Sequence, residues 1–406
     1  MRFWFQAVFF AFVALAGFLL GQAIVIAFGV MGMLAAGVSW FWYRVSLEEL
    51  IYERNLSSRR IFAGEELAMT VSLTNKKIVP LVWVRIEDEV PQELDMIKGD
   101  VEKRITRGQI LRLSTSIAWY ERVRWNYRMQ SSVRGVYHIG PAHIESGEPF
   151  GFLGQRSRDS GQDSIIVYPK ILPLENVRIP SGRPLGEVRG GIKIFQDPSR
   201  PSGLREYQRG DALNTVDWKA TAKMQSLYVR TYEPSSSTSV ILVVAVDTSA
   251  PYWASYSPAA VERVITVAAS FAKYSTELEY NVGLFTNDLP IFSDRPMTVP
   301  PGRGPEQLSE LLAALAVVRS LAMAPMSIQL AEFARRFPLG ATLAVCTAFM
   351  PPEFMLALDE LKARGFKIIV LHVGEKPCST LSEGIEVYEL YDYVVQSEQE
   401  VEQVAE

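Results

Sequence analysis

The sequence predicts a multi-domain protein: an N-terminal transmembrane α-hairpin, an antiparallel β-sandwich, and a doubly wound α/β domain. Three observations predict it. Phe3 to Tyr43 carries no charged residue. Between residues 50 and 170 short apolar runs alternate at period two and are separated by turn residues. From residue 239 apolar strands alternate with helical patterns. The expected boundaries are 1–46 for the hairpin, 47–175 for the β domain, 176–238 for a linker, 239–392 for the α/β domain and 393–406 for an acidic tail. A chain of 406 residues has room for two or three such domains.

The apolar N-terminus comes first. A single helix over Phe3 to Tyr43 would be about 60 Å long, roughly twice the hydrocarbon thickness. Two spans with a turn near Gly17 to Gln22 fit better. Arg2 precedes the first span, and Arg44, Arg54, Arg59 and Arg60 follow the second, so the positive-inside bias puts both ends and all the later domains in the cytoplasm. A cleaved signal peptide is the alternative, since Ala14-Leu15-Ala16 has small residues at the right spacing. Cleavage there would still leave an apolar stretch of 27 residues.

In the β region Leu67, Met69, Val71 and Leu73 alternate with Ala68, Thr70 and Ser72, which reads as a strand with one buried face. Further strands are expected at Leu81–Ile86, Ile110–Leu113, Val123–Met129, Val136–Ile139 and Ile165–Tyr168. No catalytic grouping is evident there, which suggests a spacer or docking module. Residues 176 to 210, rich in Gly, Pro and Arg, read as an exposed connection without strand or helix.

In the α/β region Val240–Val246 is an apolar strand ending in Asp247-Thr248-Ser249. The next helix puts Val261, Val264, Ile265, Ala268, Phe271 and Ala272 on one face. Strands follow at Asn281–Phe285, Ile291–Val299 (an edge), Thr342–Cys346, Phe366–Val373 and Ile385–Leu390. Helices are expected around Leu308 to Leu315, at Ile328–Phe337 and at Glu353–Ala363. Ligands of such sheets bind beyond the carboxyl ends of the strands, where Asp247 stands. The tail Tyr391 to Glu406 has acidic residues and no basic one, and reads as solvated.

Composition excludes several classes. A net charge of −4 gives no basic surface for nucleic acid. His138, His143 and His372 are far apart, and the two cysteines, Cys346 and Cys378, leave no zinc spacing and no disulfide framework. No phosphate-binding G-x-x-x-x-G-K-S/T loop occurs.

The densest cluster of charge, Trp and Gly lies in the later part of residues 176–238, before the first α/β strand. It comprises Gly203-Leu204-Arg205-Glu206-Tyr207, Gly210-Asp211, Val216-Asp217-Trp218-Lys219 and Val229-Arg230-Thr231-Tyr232-Glu233. Read physically, Asp211 caps a helix from Ala212, Asp217 caps Trp218 to Lys223, and Arg205 and Arg230 offer forks to Asp211, Asp217 or Glu233. Trp218 would clamp the segment onto the sheet. Two readings stand: an ion network that fixes the connection between domains, or a docking surface or small-ligand site.

This pattern resembles the signature of domain-of-unknown-function family fifty-eight, bacterial membrane proteins related to von Willebrand A domains. Arg134-Gly135-Val136-Tyr137, Glu148-Pro149-Phe150-Gly151 and Val167-Tyr168-Pro169 resemble it too, with Glu148 where the family more often has Asp. The resemblance implies a von Willebrand A-like α/β domain and a MoxR-type AAA+ ATPase as partner at the bacterial inner membrane. It implies a non-enzymatic adaptor, with Arg205, Tyr207, Gly210, Asp211, Asp217, Trp218, Lys219, Arg230 and Glu233 as the partner- or ligand-binding set. ATP chemistry would then belong to the partner, and no cofactor is expected. Von Willebrand A domains hold a cation on Asp-x-Ser-x-Ser. Here Asp247 and Ser249 match, but Pro251 replaces the last Ser, and Thr347-Ala348-Phe349 stands where a later Asp is usual. A degenerate Mg²⁺ site on Asp247 and Ser249, or loop-holding roles for both, are the readings that remain.

Overall fold

The computed structural model describes residues 2–98, 101–103, 109–149, 155–174, 196–206, 216–224, 226–234, 239–253, 257–288, 295–319, 321–338, 340–378 and 382–405. Contacts divide the chain into one unit of residues 1–170 with 315–317, and a second of 171–314 with 318–406.

The first unit begins with two antiparallel helices, α1 (Arg2–Leu19) and α2 (Ala23–Val45), joined by a turn at Leu20–Gln22. They pack closely because small residues line the contact. A Cβ on Gly29 would sit 2.5 Å from the backbone nitrogen of Ala14. Only α2, among the described residues, is long and apolar enough to cross a bilayer. The apolar part of α1, Trp4–Leu19, is shorter.

Among the described residues twelve strands follow: β1 (Leu50–Leu56), β2 (Arg60–Phe62), β3 (Glu66–Asn75), β4 (Leu81–Val90), β5 (Asp95–Lys98), β6 (Val101–Lys103), β7 (Gln109–Ile117), β8 (Arg122–Gln130), β9 (Gly135–Ile139), β10 (Ala142–Gly147), β11 (Gln155–Asp159) and β12 (Asp163–Tyr168). They form sheets of order β1-β3-β8-β5, β11-β10-β4-β7-β6 and β2-β12-β9. All ladders are antiparallel except β2 with β12. The period-two pattern of β3 reflects its burial: Leu67, Met69, Val71 and Leu73 are fully buried. Leu50 and Leu73 of the first sheet share a core with Leu81, Val84, Ile86, Ile117, Ala142 and Ile144 of the second, so these two sheets pack face to face.

A polar staple runs through this unit. The Arg54 side chain is 2% exposed and that of Asp88 is fully buried, with 3.4 Å between Nη1 and Oδ1. Arg54 also donates to Ile139 O (2.5 Å) and to Gly161 O, and pairs with Asp163 (3.3 Å). Tyr52 donates its hydroxyl to Asp88 (2.6 Å). The guanidinium fits because Gly140 stands at φ +96 without a side chain; a Cβ there would lie 2.6 Å from Arg54 Nη1. Desolvation pushes the Asp88 carboxyl up, and Arg54 opposes that shift.

The second unit contains a two-stranded ribbon, β13 (Gln196–Glu206) and β14 (Tyr228–Pro234), with the short helix α3 (Trp218–Met224) between them. Residues 196–206 therefore form a strand, against the expectation of an unstructured connection. The two prolines, Pro198 and Pro201, hid it. A two-stranded ribbon leaves one side of each strand free of ladder bonds, and register shifts at Gln196/Pro201 and Pro201/Gly203 accommodate the rings.

The main sheet is built from β15 (Ser239–Val244), β16 (Asn281–Thr286), β17 (Thr298–Gly302), β18 (Thr342–Thr347), β19 (Lys367–His372) and β20 (Glu386–Glu389), in the order β17-β16-β15-β18-β19-β20. It is parallel apart from the antiparallel edge β17. The helices are α4 (Pro258–Glu277), α5 (Pro305–Val317), α6 (Met326–Phe333), α7 (Pro352–Ala363) and α8 (Tyr391–Ala405). Ile241, Val243 and Ala245 pack against α6 and α7 through Met326, Leu330, Phe354, Leu358 and Leu361. α4 packs against β15, β16 and β18, and all six of its expected core residues are buried. The alternate side chains of β15, Val240, Leu242 and Val244, are also buried, so both faces of the sheet are covered.

Two expectations change here. The edge strand is Thr298–Gly302, running through Pro300-Pro301; of the expected Ile291–Val299, positions 291–294 lie outside the described residues. The acidic tail is the helix α8, not a solvated extension. Val394 is fully buried, the Tyr393 hydroxyl donates to Pro173 O (2.5 Å), and Arg263 lies 3.6 Å from Glu398 and 5.0 Å from the Tyr391 ring centroid. The apolar contacts sit in its first turns, where charge counting did not register them.

Candidate functional site

Two places in the second unit bear the residues singled out by sequence. The first is α3 and its seat on β14. Asp217 Oδ1 accepts the backbone N–H groups of Lys219 and Ala220, both at 3.0 Å, so it caps α3 as expected. The helix is tied to the ribbon by Asp217 N to Tyr228 O (2.9 Å) and Tyr228 N to Thr221 Oγ1 (3.1 Å). An isolated bridge pairs Val216 with Val229, both buried. Those contacts fix α3 without its tryptophan. Trp218 is 66% exposed, so it does not clamp the segment onto the sheet. Met224 and Leu227 are also exposed apolar residues, and Lys219 and Lys223 are exposed cations beside them.

The remaining signature residues divide in two. Arg205 pairs in register with Val229, and Leu204 with Arg230, so positions 205 and 230 fall on opposite faces of the ribbon. Glu233 is in β14, and the side chains of Arg205, Arg230 and Glu233 lie outside the described set. Tyr207, Gly210 and Asp211, with the expected Asp211 cap, lie outside the described residues altogether.

The second place is the carboxyl edge of the parallel sheet. Asp247 follows β15 and is buried. Its Oδ1 accepts from Asn287 Nδ2 (2.9 Å) and its Oδ2 from the backbone N–H of Met326 (3.4 Å), the first residue of α6. Asn287 completes the tie: its Oδ1 accepts from Val246 N and its Nδ2 donates to Ala324 O, both at 2.9 Å. Burial pushes the Asp247 carboxyl up, and the Asn287 and Met326 bonds oppose that shift. The Ser249 hydroxyl donates to Pro251 O (3.2 Å). Thr248 Oγ1 accepts from Ser257 N, and Ser257 caps α4. Asp247 thus ties β15 to Asn287 and to the start of α6, and Ser249 bonds within its own loop. Among the described residues no group of three or more His, Cys, Asp or Glu could hold a metal ion.

Asn287 and Asp288 were missed by sequence reasoning. They stand directly beyond β16, so the rule that picked out Asp247 beyond β15 would have found them. Asp288 is fully buried, and among the described residues no donor reaches either carboxylate oxygen in hydrogen-bond geometry. The backbone N–H groups of Arg319 and Met297 favour its charged form, but desolvation dominates and raises its pKa. Elsewhere along this edge, buried His372 shares a 2.6 Å hydrogen bond with Glu389, and Thr347 donates to Phe349 O. Cys346 is buried with its thiol pushed up by desolvation, and both cysteines are free.

Residues 203–378 match the family described as "Protein of unknown function DUF58". The chain is also 25% identical over 251 residues to "Uncharacterized protein YeaD" of Bacillus subtilis (strain 168), a match covering 57% of this chain and 58% of that protein. The match thus spans less than two thirds of the relative's length. Solved structures with partial likeness include the major pilin SpaD of Corynebacterium diphtheriae (TM-score 0.23, 10% identity, 30% of this chain and 37% of that chain). Another is Spo0M, a sporulation control protein of Bacillus subtilis (TM-score 0.18, 17% identity, 29% and 49%). A third is a cohesin module of a Clostridium perfringens family 33 glycoside hydrolase (TM-score 0.20, 9% identity, 29% and 96%). At these TM-scores none of the three bears on this fold.

Proposed function

We propose that this chain, which the two sequence matches assign to the DUF58/YeaD-like family of unknown function, is a membrane-anchored, non-enzymatic adaptor. In this reading α1 and α2 both span the bacterial inner membrane, with the later domains cytoplasmic. The β-sandwich-like unit sets a distance from the bilayer. The von Willebrand A-like α/β unit docks a MoxR-type AAA+ ATPase or its client, and the ATP chemistry belongs to that partner.

The observation that carries the reading is the exposure of Trp218 on a helix already fixed by other contacts. An exposed Trp beside Met224 and Leu227, flanked by Lys219 and Lys223, has the composition of an interface centre with a cationic rim. It fits a partner surface with an apolar pocket and acidic edges. The alternative, a small-ligand or hydrolytic site on the signature carboxylates and arginines, has less support. Asp217 is committed to capping α3, and the register separates positions 205 and 230.

The test is affinity purification of the tagged full-length protein from its own membranes, with and without Trp218→Ala, followed by mass spectrometry. The adaptor reading expects an AAA+ ATPase with the wild type and its loss with Trp218→Ala. Recovery with both would move the docking surface off α3. Absence from both, with a non-hydrolysable ATP analogue present, would sink the ATPase partnership.

A further inference from the structure

A second surface, in the first unit, has no role in that reading. The carboxyl end of α2 carries Trp40, Trp42, Tyr43 and Arg44, with the Arg44 guanidinium 5.6 Å from the Trp40 ring centroid. Aromatic residues followed by a cation at the end of an apolar helix mark the headgroup level of a bilayer. Two loops of the β unit are fastened to this helix end. The Trp42 indole N–H donates to Pro80 O (3.0 Å), and buried Lys77 donates to Ser46 O (2.9 Å) and Glu48 O (2.5 Å). These contacts hold the β3–β4 loop. The β7–β8 turn is fastened in turn to that loop. Asn75 Nδ2 donates to Val79 O and to Ala118 O, both at 2.9 Å, and Tyr120 N donates to Lys77 O (3.3 Å). Between them the two loops display Ile78 at 72%, Trp119 at 63% and Tyr120 at 68% exposure.

Three large apolar side chains on adjoining loops are costly to leave in water, and nothing in the β core needs them there. The Trp42–Pro80 bond sets these loops at the depth where α2 leaves the hydrocarbon. We infer that Ile78, Trp119 and Tyr120 insert into the interfacial layer of the phospholipid bilayer, as a second membrane contact beside α2. This contact locks the orientation of the β unit on the membrane. It rests on α2 as a membrane span. The local charges nearly balance: exposed Arg44, Lys76 and Arg122 stand against exposed Glu48, Glu49 and Glu121. The contact is therefore apolar and aromatic, and it does not need anionic lipid.

The test reconstitutes the full chain, with Cys346→Ala and Cys378→Ser, into phosphatidylcholine vesicles. An environment-sensitive NBD label is placed on Ile78→Cys or on a control, Val133→Cys. Val133 is exposed beyond the other end of β8, roughly 30 Å from the turn at 3.3 Å per residue. Lipids brominated near the headgroup should quench the Ile78 label by roughly half and leave the Val133 label near its aqueous emission. As a label-free check, Trp119→Phe should lose part of the wild type's lipid-quenchable tryptophan emission. An Ile78 label that stays unquenched, in protein that floats with vesicles after carbonate washing, overturns the inference while α2 stands as an anchor. A blue shift without lipid quenching assigns the patch to a protein neighbour and overturns it as well. Protein that fails to float removes the anchor itself, and the inference with it.

Discussion

Replacing Asn287 with Ala should loosen the carboxyl edge of the parallel sheet more than any other single polar change there. The side chain makes three hydrogen bonds to Val246, Asp247 and Ala324. Their loss is unequal. The Val246 N–H is buried and would have no replacement, at about 1–3 kcal/mol. Asp247 keeps the Met326 N–H but loses its better donor, about 1–2 kcal/mol for a bond to a charged group. Ala324 is half-buried, so water can replace the donor to its carbonyl at little cost. The total is about 2–5 kcal/mol, equivalent to local opening about 30- to 5,000-fold more frequent. Hydrogen exchange of the detergent-solubilised protein would read this in peptides covering 240–246 and 324–330. Exchange within threefold of wild type would refute the assigned role. Asn287→Asp adds a control with a worked sign. It sets a second carboxylate against Asp247, whose pKa burial already raises, so protonation relieves the repulsion and the defect shrinks as pH falls from 8 toward 5.

Three further outcomes are expected. The raised pKa of Asp288 means that its ionised form is penalised in the fold; this group's contribution is most favourable below its unfolded pKa and is lost as pH rises. Asp288→Asn should therefore stabilise the protein at pH 8, and the gain should vanish near pH 4; thermal melts in matched buffers would expose a gain that is flat with pH. Arg54→Met should cost about 3–5 kcal/mol by stranding buried Asp88, and Arg54→Met/Asp88→Leu should recover most of it; denaturant titration of the double variant checks the recovery. Val394→Ala should cost about 2–3 kcal/mol from lost burial and a residual cavity, and an unchanged melting temperature would mean that α8 is not docked.

Some of these features were legible in the sequence because one physical cause dominated the pattern. β3 alternates because one face meets the core, and α4 repeats at helical spacing because one stripe covers the sheet. The Asp217 cap was readable because it acts over two or three residues of chain. Where causes competed, reading failed. Pro198 and Pro201 argued against a strand, but a bulged ribbon tolerates both. The acidic charge of the tail outweighed Val394, although a few buried contacts suffice to order α8. The Arg54–Asp88 staple joins residues 34 positions apart and depends on sheet register, which no local pattern encodes. Trp218 invited burial by its size, and its exposure follows from tertiary contacts that Val216, Asp217 and Thr221 make instead.

The most direct measurement of the adaptor account is a titration of the purified MoxR-type ATPase, with nucleotide bound, onto the full chain in lipid nanodiscs, comparing wild type with Trp218→Ala. A buried Trp anchor contributes about 2 kcal/mol or more to an interface, so the account predicts at least about a 30-fold weaker Kd for the variant at unchanged melting temperature. Equal affinity for the two proteins, or no binding by the wild type, would contradict it.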